Sequence, residues 1–149
     1  MAGIRITKKF DFEMAHALWN YDGACKNIHG HSYKLFVTVR GEPLQDDNNA
    51  KNGMVMDFGE LKKIVNKAVI NRFDHCVVVS NKAPHDFLTQ VEQMFDKYEL
   101  TPFQPTSENL LLYFAEILKK KLPQEVELVK LQLYETETSY AEWCLEDNR

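Results

Sequence analysis

Three histidines in the first part of the chain have the spacing of a metal-binding group. His29 and His31 are two residues apart, and side chains two apart on an extended segment point to the same face, so both imidazoles can reach one ion. Gly30 between them lets the backbone turn or approach closely. His16 lies upstream, at the end of a hydrophobic run. Three imidazoles without an obvious fourth protein ligand indicate a zinc site with an open position, which is typical of catalytic zinc.

Cys25 lies four residues before His29, and the residues alone leave its role open. A thiolate is favoured beside a cation, so Cys25 can be a base or a nucleophile next to the metal. As a fourth ligand it would instead close the site and make the zinc structural. An inert buried cysteine is the third interpretation.

Three acidic or basic residues further along are candidates for proton transfer or ligand binding. Asp74 and His75 are adjacent, and a carboxylate that hydrogen-bonds to an imidazole fixes its tautomer and raises its basicity. Because sequence neighbours seldom face one another, the pair by itself is a weak indication. Glu135 follows Tyr134 at the end of a predicted strand, and the residue alone slightly favours an ordinary solvated acid over a functional carboxylate.

The composition excludes several classes of function. The chain has 149 residues and a formal net charge of −4, and this length predicts one domain over residues 1–149. No cluster of Lys and Arg of the kind that binds nucleic acid occurs, so we expect no nucleic-acid partner. No apolar run is long enough to span a bilayer and no leader pattern is present, so we expect a cytoplasmic protein without a membrane partner. Three cysteines without a repeated spacing argue against a disulfide framework.

Hydrophobic periodicity predicts the elements that must position these residues. Alternation predicts strands over 4–16 and 32–40, and antiparallel pairing of the two would place the histidines at one end of a sheet. Residues 18–28 contain turn formers and are predicted to be the loop that carries Cys25. We interpret the acidic run within 41–53 as a solvated loop rather than a calcium site.

Helices are predicted in the middle of the chain and a second hairpin at its end. An Asp N-cap with its capping-box Glu starts a helix over 57–72, and three- and four-residue apolar steps predict a second over 84–98. Thr106 caps a third helix that ends before Pro123.

The remaining apolar segments are predicted to be extended. Residues 76–79 are a brief strand or extended segment, and residues 129–136 and 140–146 alternate as a closing hairpin. The result is an α+β fold in which two antiparallel β-hairpins form a four-stranded sheet, with helices packed on one face.

Six motifs in order resemble those of a known enzyme family. They are residues 12–16, 25–33, 53–58, 74–75, 105–109 and 135–136. Together they cover nearly the whole chain and are similar to the 6-pyruvoyltetrahydropterin synthase family, which includes the bacterial 6-carboxytetrahydropterin synthases of queuosine biosynthesis.

This resemblance implies a tunnelling fold, in which the sheets of three subunits join into a barrel and two trimers stack into a homohexamer with active sites between subunits. It further implies 7,8-dihydroneopterin triphosphate as the substrate and Zn²⁺ as the cofactor, held by His16, His29 and His31. Bound there, the ion acidifies a C–H bond of the substrate side chain.

The resemblance also implies roles for the other candidates. Cys25 matches the base that removes a proton, and Asp74 and His75 match the pair that works with it. Glu135 matches the carboxylate that binds the guanidine-like edge of the pterin, which suits a carboxylate because it accepts two parallel N–H bonds.

The product is predicted from one spacing. The three residues between Cys25 and His29 resemble the bacterial carboxy-forming members, which favours 6-carboxytetrahydropterin, acetaldehyde and triphosphate. The alternatives are 6-pyruvoyltetrahydropterin synthesis and a pterin- or zinc-binding protein without turnover. Met14 and the long connection 82–104 depart from the family's pattern and bear on substrate choice. Lys26 is the candidate cation for the triphosphate.

Overall fold

A long antiparallel hairpin forms the middle of the sheet. In the computed structural model, which describes residues 2–149, β1 (Ile4–His16) pairs with β2 (His29–Gly41) along its whole length. Alternate residues of β1, among them Phe10 and Phe12, are buried on one face, whereas residues of the other parity are exposed. The two predicted strands are therefore confirmed, and the second is longer than expected.

Four further strands extend the sheet on both sides. β5 (Glu127–Tyr134) pairs antiparallel with β2, and β6 (Tyr140–Cys144) pairs antiparallel with β5. On the other side, β3 (Cys76–Ser80) lies parallel to the end of β1, and β4 (Tyr98–Thr101) lies parallel to β3. The strand order is β4-β3-β1-β2-β5-β6.

The α+β class is confirmed, but the prediction of a four-stranded sheet was wrong, because the sheet has six strands. The two additional strands are β3, which was predicted only as a brief strand or extended segment, and β4, which was not predicted because a helix was expected to reach residue 98. The helix ends at Met94 instead. A four-residue strand held by parallel pairing to β3 depends on a partner distant in sequence, and local periodicity does not record such a partner.

The helices begin where their caps predict. α1 (Phe58–Val65) starts at Asp57, whose side chain accepts a hydrogen bond from the N–H of Gly59. A π-helical turn (Asn66–Ile70) and the short α2 (Asn71–Phe73) continue α1, and α3 (His85–Met94) joins β3 to β4. α4 (Ser107–Lys121) is capped by Thr106, which accepts from the N–H of Asn109. Within residues 2–149, no helix is long and apolar enough to cross a membrane.

One core lies between the sheet and the helices α1 and α4. Phe12 stacks on Tyr33 with ring centroids 5.1 Å apart, and Phe114 of α4 meets Phe12 edge-on at 6.4 Å. Leu61 and Leu118 are fully buried in the same cluster. Because the strand ends pack against this core, the backbone that carries the histidines is rigidly placed.

Candidate metal centre and its surroundings

The register of the central hairpin gathers the three predicted histidines at one end of the sheet. His16 lies opposite His29, and His31 is two residues further along the same face of β2. The Nε2 atoms of His16 and His29 are 3.1 Å apart, and one ligand nitrogen from each of the three residues lies within 4.8 Å of the others. This group, the histidine triad, can hold a metal ion.

Hydrogen bonds on the far sides of two rings leave the converging nitrogens free. Nδ1 of His16 lies 2.7 Å from the carbonyl oxygen of Pro105, and Nδ1 of His29 lies 2.7 Å from that of Asn27. A carbonyl only accepts, so each Nδ1 carries the proton and each Nε2 keeps its lone pair. Nε2 of His31 is buried and has no hydrogen-bond partner in the described part of the chain. These three nitrogens therefore fit a cation.

Burial disfavours the charged form of two triad members, His16 and His31. Desolvation lowers the pKa of His16, and it likewise lowers the pKa of His31. The positive charge of His29, when protonated, acts in the same direction on both, whereas Glu135 opposes it. The lowered pKa of these two imidazoles favours metal binding over protonation at their nitrogens.

Glu135 lies beside the triad, at the end of β5. Its Oε1 is 3.4 Å from Nε2 of His31, and its Oε2 accepts a 2.9 Å hydrogen bond from the hydroxyl of Ser107, the first residue of α4. Its side chain is 29% exposed, so the expectation from the residue alone of an ordinary solvated acid does not describe its surroundings. Burial, reinforced by the charge of Glu135, raises the pKa of the nearby Tyr33. The triad thus has one carboxylate at its rim.

Cys25 occupies a short 3-10 turn (Ala24–Lys26) in the loop between β1 and β2. The thiol is partly buried, and the Cys25 carbonyl accepts a 2.9 Å hydrogen bond from the N–H of Leu18. Over residues 2–149, the ligand atoms that gather within 4.8 Å are those of the triad and do not include the sulfur. This geometry disfavours the interpretation of Cys25 as a fourth ligand, and it leaves the triad open.

Asp74 and His75 face each other although they are adjacent. Nδ1 of His75 is 3.0 Å from Oδ1 of Asp74. His75 has a φ of 60°, in the left-handed region, which turns the ring back towards its neighbour. Two hydrogen bonds hold the pair to the edge of β1. The backbone N–H of Glu13 donates to the side-chain Oδ1 of Asp74 at 2.9 Å, and the backbone N–H of His75 donates to the Glu13 carbonyl at 2.5 Å.

The pair opens towards the face of the sheet opposite the core. Glu13 and Ser32 have the opposite parity to His16 and His31, and with His75 they line an open depression of about 360 Å³. His75 is 76% exposed in this depression. A single chain therefore presents His75 outward, in a depression that His31 of the triad also lines.

The residues that orient the site were missed in the sequence. Pro105 and Asn27 act through backbone carbonyls, which every residue has and which leave no signal in the side-chain pattern. Ser107 lies inside the motif 105–109 and could have been found there. Gln104, just before that motif, binds the backbone of Trp19 through its side-chain amide.

Comparison with known proteins gives a consistent result. The sequence model of a family described as 6-pyruvoyl tetrahydropterin synthase matches residues 5–145. Among curated proteins, the 6-carboxy-5,6,7,8-tetrahydropterin synthase of Haemophilus influenzae is 34% identical, over 93% of this chain and 97% of its own. The protein of the same name from Aquifex aeolicus is 35% identical, over 93% of this chain and 96% of its own.

Two further similarities bear on function and fold. The dihydroneopterin monophosphate aldolase of Pyrococcus furiosus is 32% identical, over 88% of this chain and 89% of its own. Among solved structures, the 6-pyruvoyl tetrahydropterin synthase of Caenorhabditis elegans superposes with a TM-score of 0.68 at 26% identity, over 97% of this chain and 96% of its own.

Proposed function

The chain belongs to the 6-pyruvoyl tetrahydropterin synthase family, and from that premise we propose that it is a 6-carboxy-5,6,7,8-tetrahydropterin synthase. The enzyme converts 7,8-dihydroneopterin triphosphate and water into 6-carboxytetrahydropterin, acetaldehyde and triphosphate, a reaction of queuosine biosynthesis. Two relatives of that name, 34% and 35% identical, support this reaction. The observation that carries the proposal is an open histidine triad with a carboxylate 3.4 Å from one of its nitrogens.

Zinc is the metal that we propose for the triad. Imidazole nitrogens are common zinc ligands, and three of them with a free position match a catalytic rather than a structural site. The buried, unpartnered Nε2 of His31 supports the same assignment. When bound, zinc polarises the side-chain hydroxyls of the substrate and so acidifies the neighbouring C–H bond.

Proton transfer is assigned to Cys25 with Asp74 and His75. Cys25, outside the triad, removes the proton from the substrate side chain as a thiolate. Asp74, 3.0 Å from Nδ1 of His75, holds the proton on that nitrogen and leaves Nε2 able to accept or donate one. The exposure of His75 supports its action on a substrate bound in another subunit.

Glu135 is assigned to the pterin ring. Its Oε2 is already oriented by Ser107, and the carboxylate plane can accept two parallel N–H bonds from the guanidine-like edge of the pterin. A pterin bound there would direct its side chain to the triad, since Oε1 lies 3.4 Å from His31. Lys26 is exposed in the Cys25 turn and remains our candidate for the triphosphate.

We propose a homo-oligomer in which sheets join into a trimeric barrel and two trimers stack. β1 pairs with β3 only over its last three residues, so in the described chain the edge of residues 4–12 has no strand beside it. β6 is the edge strand at the far side of the sheet. Unpaired edges readily accept another strand, and pairing of the two kinds of edge would close a barrel. Such closure would let His75 of one subunit serve the triad of its neighbour.

Product analysis tests the proposed function. Zinc-loaded protein and a Cys25→Ala variant are incubated with 7,8-dihydroneopterin triphosphate, and the products are identified by mass spectrometry. We expect acetaldehyde and 6-carboxytetrahydropterin from the wild type and neither from the variant. Formation of 6-pyruvoyltetrahydropterin would assign the alternative product. Retention of zinc and pterin without turnover would contradict an enzyme and support a binding protein.

A second substrate separates one more possibility. The relative from Pyrococcus furiosus is named for dihydroneopterin monophosphate, and it is 32% identical to this chain. The same assay is therefore run with 7,8-dihydroneopterin monophosphate. Turnover of the monophosphate alone would replace the proposed reaction by an aldol cleavage.

A further inference from the structure

The side chain of Gln104 fastens the loop that carries Cys25. Gln104 lies between β4 and α4, and its Oε1 accepts the N–H of Trp19 at 3.0 Å while its Nε2 donates to the Trp19 carbonyl at 2.7 Å. A primary amide has both an acceptor and donors, so it satisfies both backbone groups of one residue as a neighbouring strand would. We call this pair of hydrogen bonds the Gln104 clamp.

Backbone hydrogen bonds connect the clamp to Cys25. Leu18, next to Trp19, donates its N–H to the Cys25 carbonyl at 2.9 Å, and its own carbonyl accepts the N–H of Tyr21 at 3.2 Å. Residues 19–24 are exposed, so core packing does not hold this part of the loop. Polar contacts therefore hold the exposed residues next to the partly buried Cys25. Among the hydrogen bonds of residues 19–24 in the described chain, those of the Gln104 clamp come from another part of the fold.

The segment that provides the clamp also holds a metal ligand. The carbonyl of Gln104 accepts hydrogen bonds from the N–H of Thr106 at 2.8 Å and from the side-chain amide of Asn109 at 3.0 Å. The next residue, Pro105, accepts from Nδ1 of His16 at 2.7 Å. Residues 104 and 105 thus connect the Cys25 loop and the triad to the same anchored segment.

We propose that Gln104 is a positioning residue, which sets the placement of Cys25 relative to the triad through the backbone of Trp19. This inference rests on the proposed function, in which Cys25 is the base. Misplacement of a reacting group by a fraction of its contact distance lowers the rate strongly even when binding is intact. Loss of the clamp therefore acts on the chemical step more than on substrate binding.

Two substitutions separate the hydrogen bonds from the bulk of the side chain. Gln104→Met keeps the length of the side chain and removes both hydrogen bonds. Gln104→Glu keeps the acceptor for the Trp19 N–H but places a carboxylate against the Trp19 carbonyl. Gln90→Met, on the exposed face of α3, introduces the same residue away from the loop and is the matched control.

Two measurements without substrate test the clamp directly. We expect amide exchange in residues 17–28 of Gln104→Met to rise about tenfold, because two hydrogen bonds that oppose local opening are lost. The rate of Cys25 alkylation, followed by peptide mass spectrometry, should change with it. Cys76 does not compete, because burial raises its pKa to about 11. The visible spectrum of the cobalt-loaded protein should stay that of the wild type.

Activity then distinguishes positioning from general damage. With the triphosphate substrate, Gln104→Met should lose about tenfold in kcat with little change in KM, Gln104→Glu less, and Gln90→Met nothing. Wild-type exchange and alkylation in Gln104→Met, or an altered cobalt spectrum, would overturn the proposal. A wild type without turnover whose loop still depends on Gln104 would contradict the proposed function and not the clamp. If Gln104→Met does not fold, Gln104→Glu, which loses only the hydrogen bond to the Trp19 carbonyl, tests the clamp with a smaller expected loss.

Discussion

Replacement of Glu135 by Gln tests the binding of the pterin most sharply. The substitution conserves shape and removes the charge, so one oxygen still accepts an N–H bond while the new NH₂ group opposes the second donor of the pterin. Because the side chain is only 29% exposed and Ser107 fixes Oε2 at 2.9 Å, the site cannot simply rotate away from the mismatch. Loss of one hydrogen bond to a charged group costs about 2 kcal/mol.

That free energy corresponds to a fall of about thirtyfold in kcat/KM. Steady-state kinetics and fluorescence binding of an unreactive pterin measure it, and zinc content is checked in parallel. We expect the loss in KM and in pterin affinity, with zinc retained by the three histidines. Glu137→Gln, an exposed acid two residues away, is the control and should behave as the wild type.

Two results would refute this reasoning about Glu135. Unchanged pterin affinity with a reduced kcat would mean that the carboxylate acts in the chemical step rather than in binding. Loss of zinc from Glu135→Gln would mean that its charge, 3.4 Å from Nε2 of His31, is needed to hold the metal.

Three further outcomes are expected. Burial lowers the pKa of His16 and His31 in the folded chain, so the unfolded chain takes up protons at a higher pH than the folded chain does. The free energy of unfolding of the metal-free protein should therefore be highest above about pH 6.5 and fall below it. Urea titrations between pH 8 and 5 measure this change. Equal mixtures of Cys25→Ala and His75→Ala subunits should recover about a quarter of wild-type activity if each site takes Cys25 from one subunit and His75 from another, because about a quarter of the sites then have both side chains intact. No activity should be recovered if both side chains come from the same subunit. Lys97→Met, which removes the ammonium bound to carbonyls at the end of α2, should lower the free energy of unfolding by about 1 kcal/mol, measured by urea denaturation.

Local patterns were sufficient for most of the elements. The alternation over 4–16 predicted a strand that the structure shows with the same bounds, and Thr106 caps α4 as its hydroxyl predicted. Both signals act within a few residues, because side-chain parity and N-cap hydrogen bonds are properties of neighbours. The helix predicted over 84–98 failed at its end, since Tyr98 enters β4 through pairing with a strand about twenty residues away.

The sequence by itself determined the donors of the site. The spacing of His29 and His31 places two imidazoles on one face, because side chains two residues apart on a strand point the same way, and the pairing of β1 with β2 then brings His16 to them. Tertiary structure decided how those donors are used. A carbonyl 89 residues from His16 selects its tautomer, the ends of β5 and α4 bring Glu135 to the triad, and a left-handed φ turns His75 onto Asp74. Backbone carbonyls are alike in every residue, and the places where the chain turns depend on packing between distant segments. The His16 tautomer, the position of Glu135 and the orientation of His75 are therefore fixed only in the folded chain.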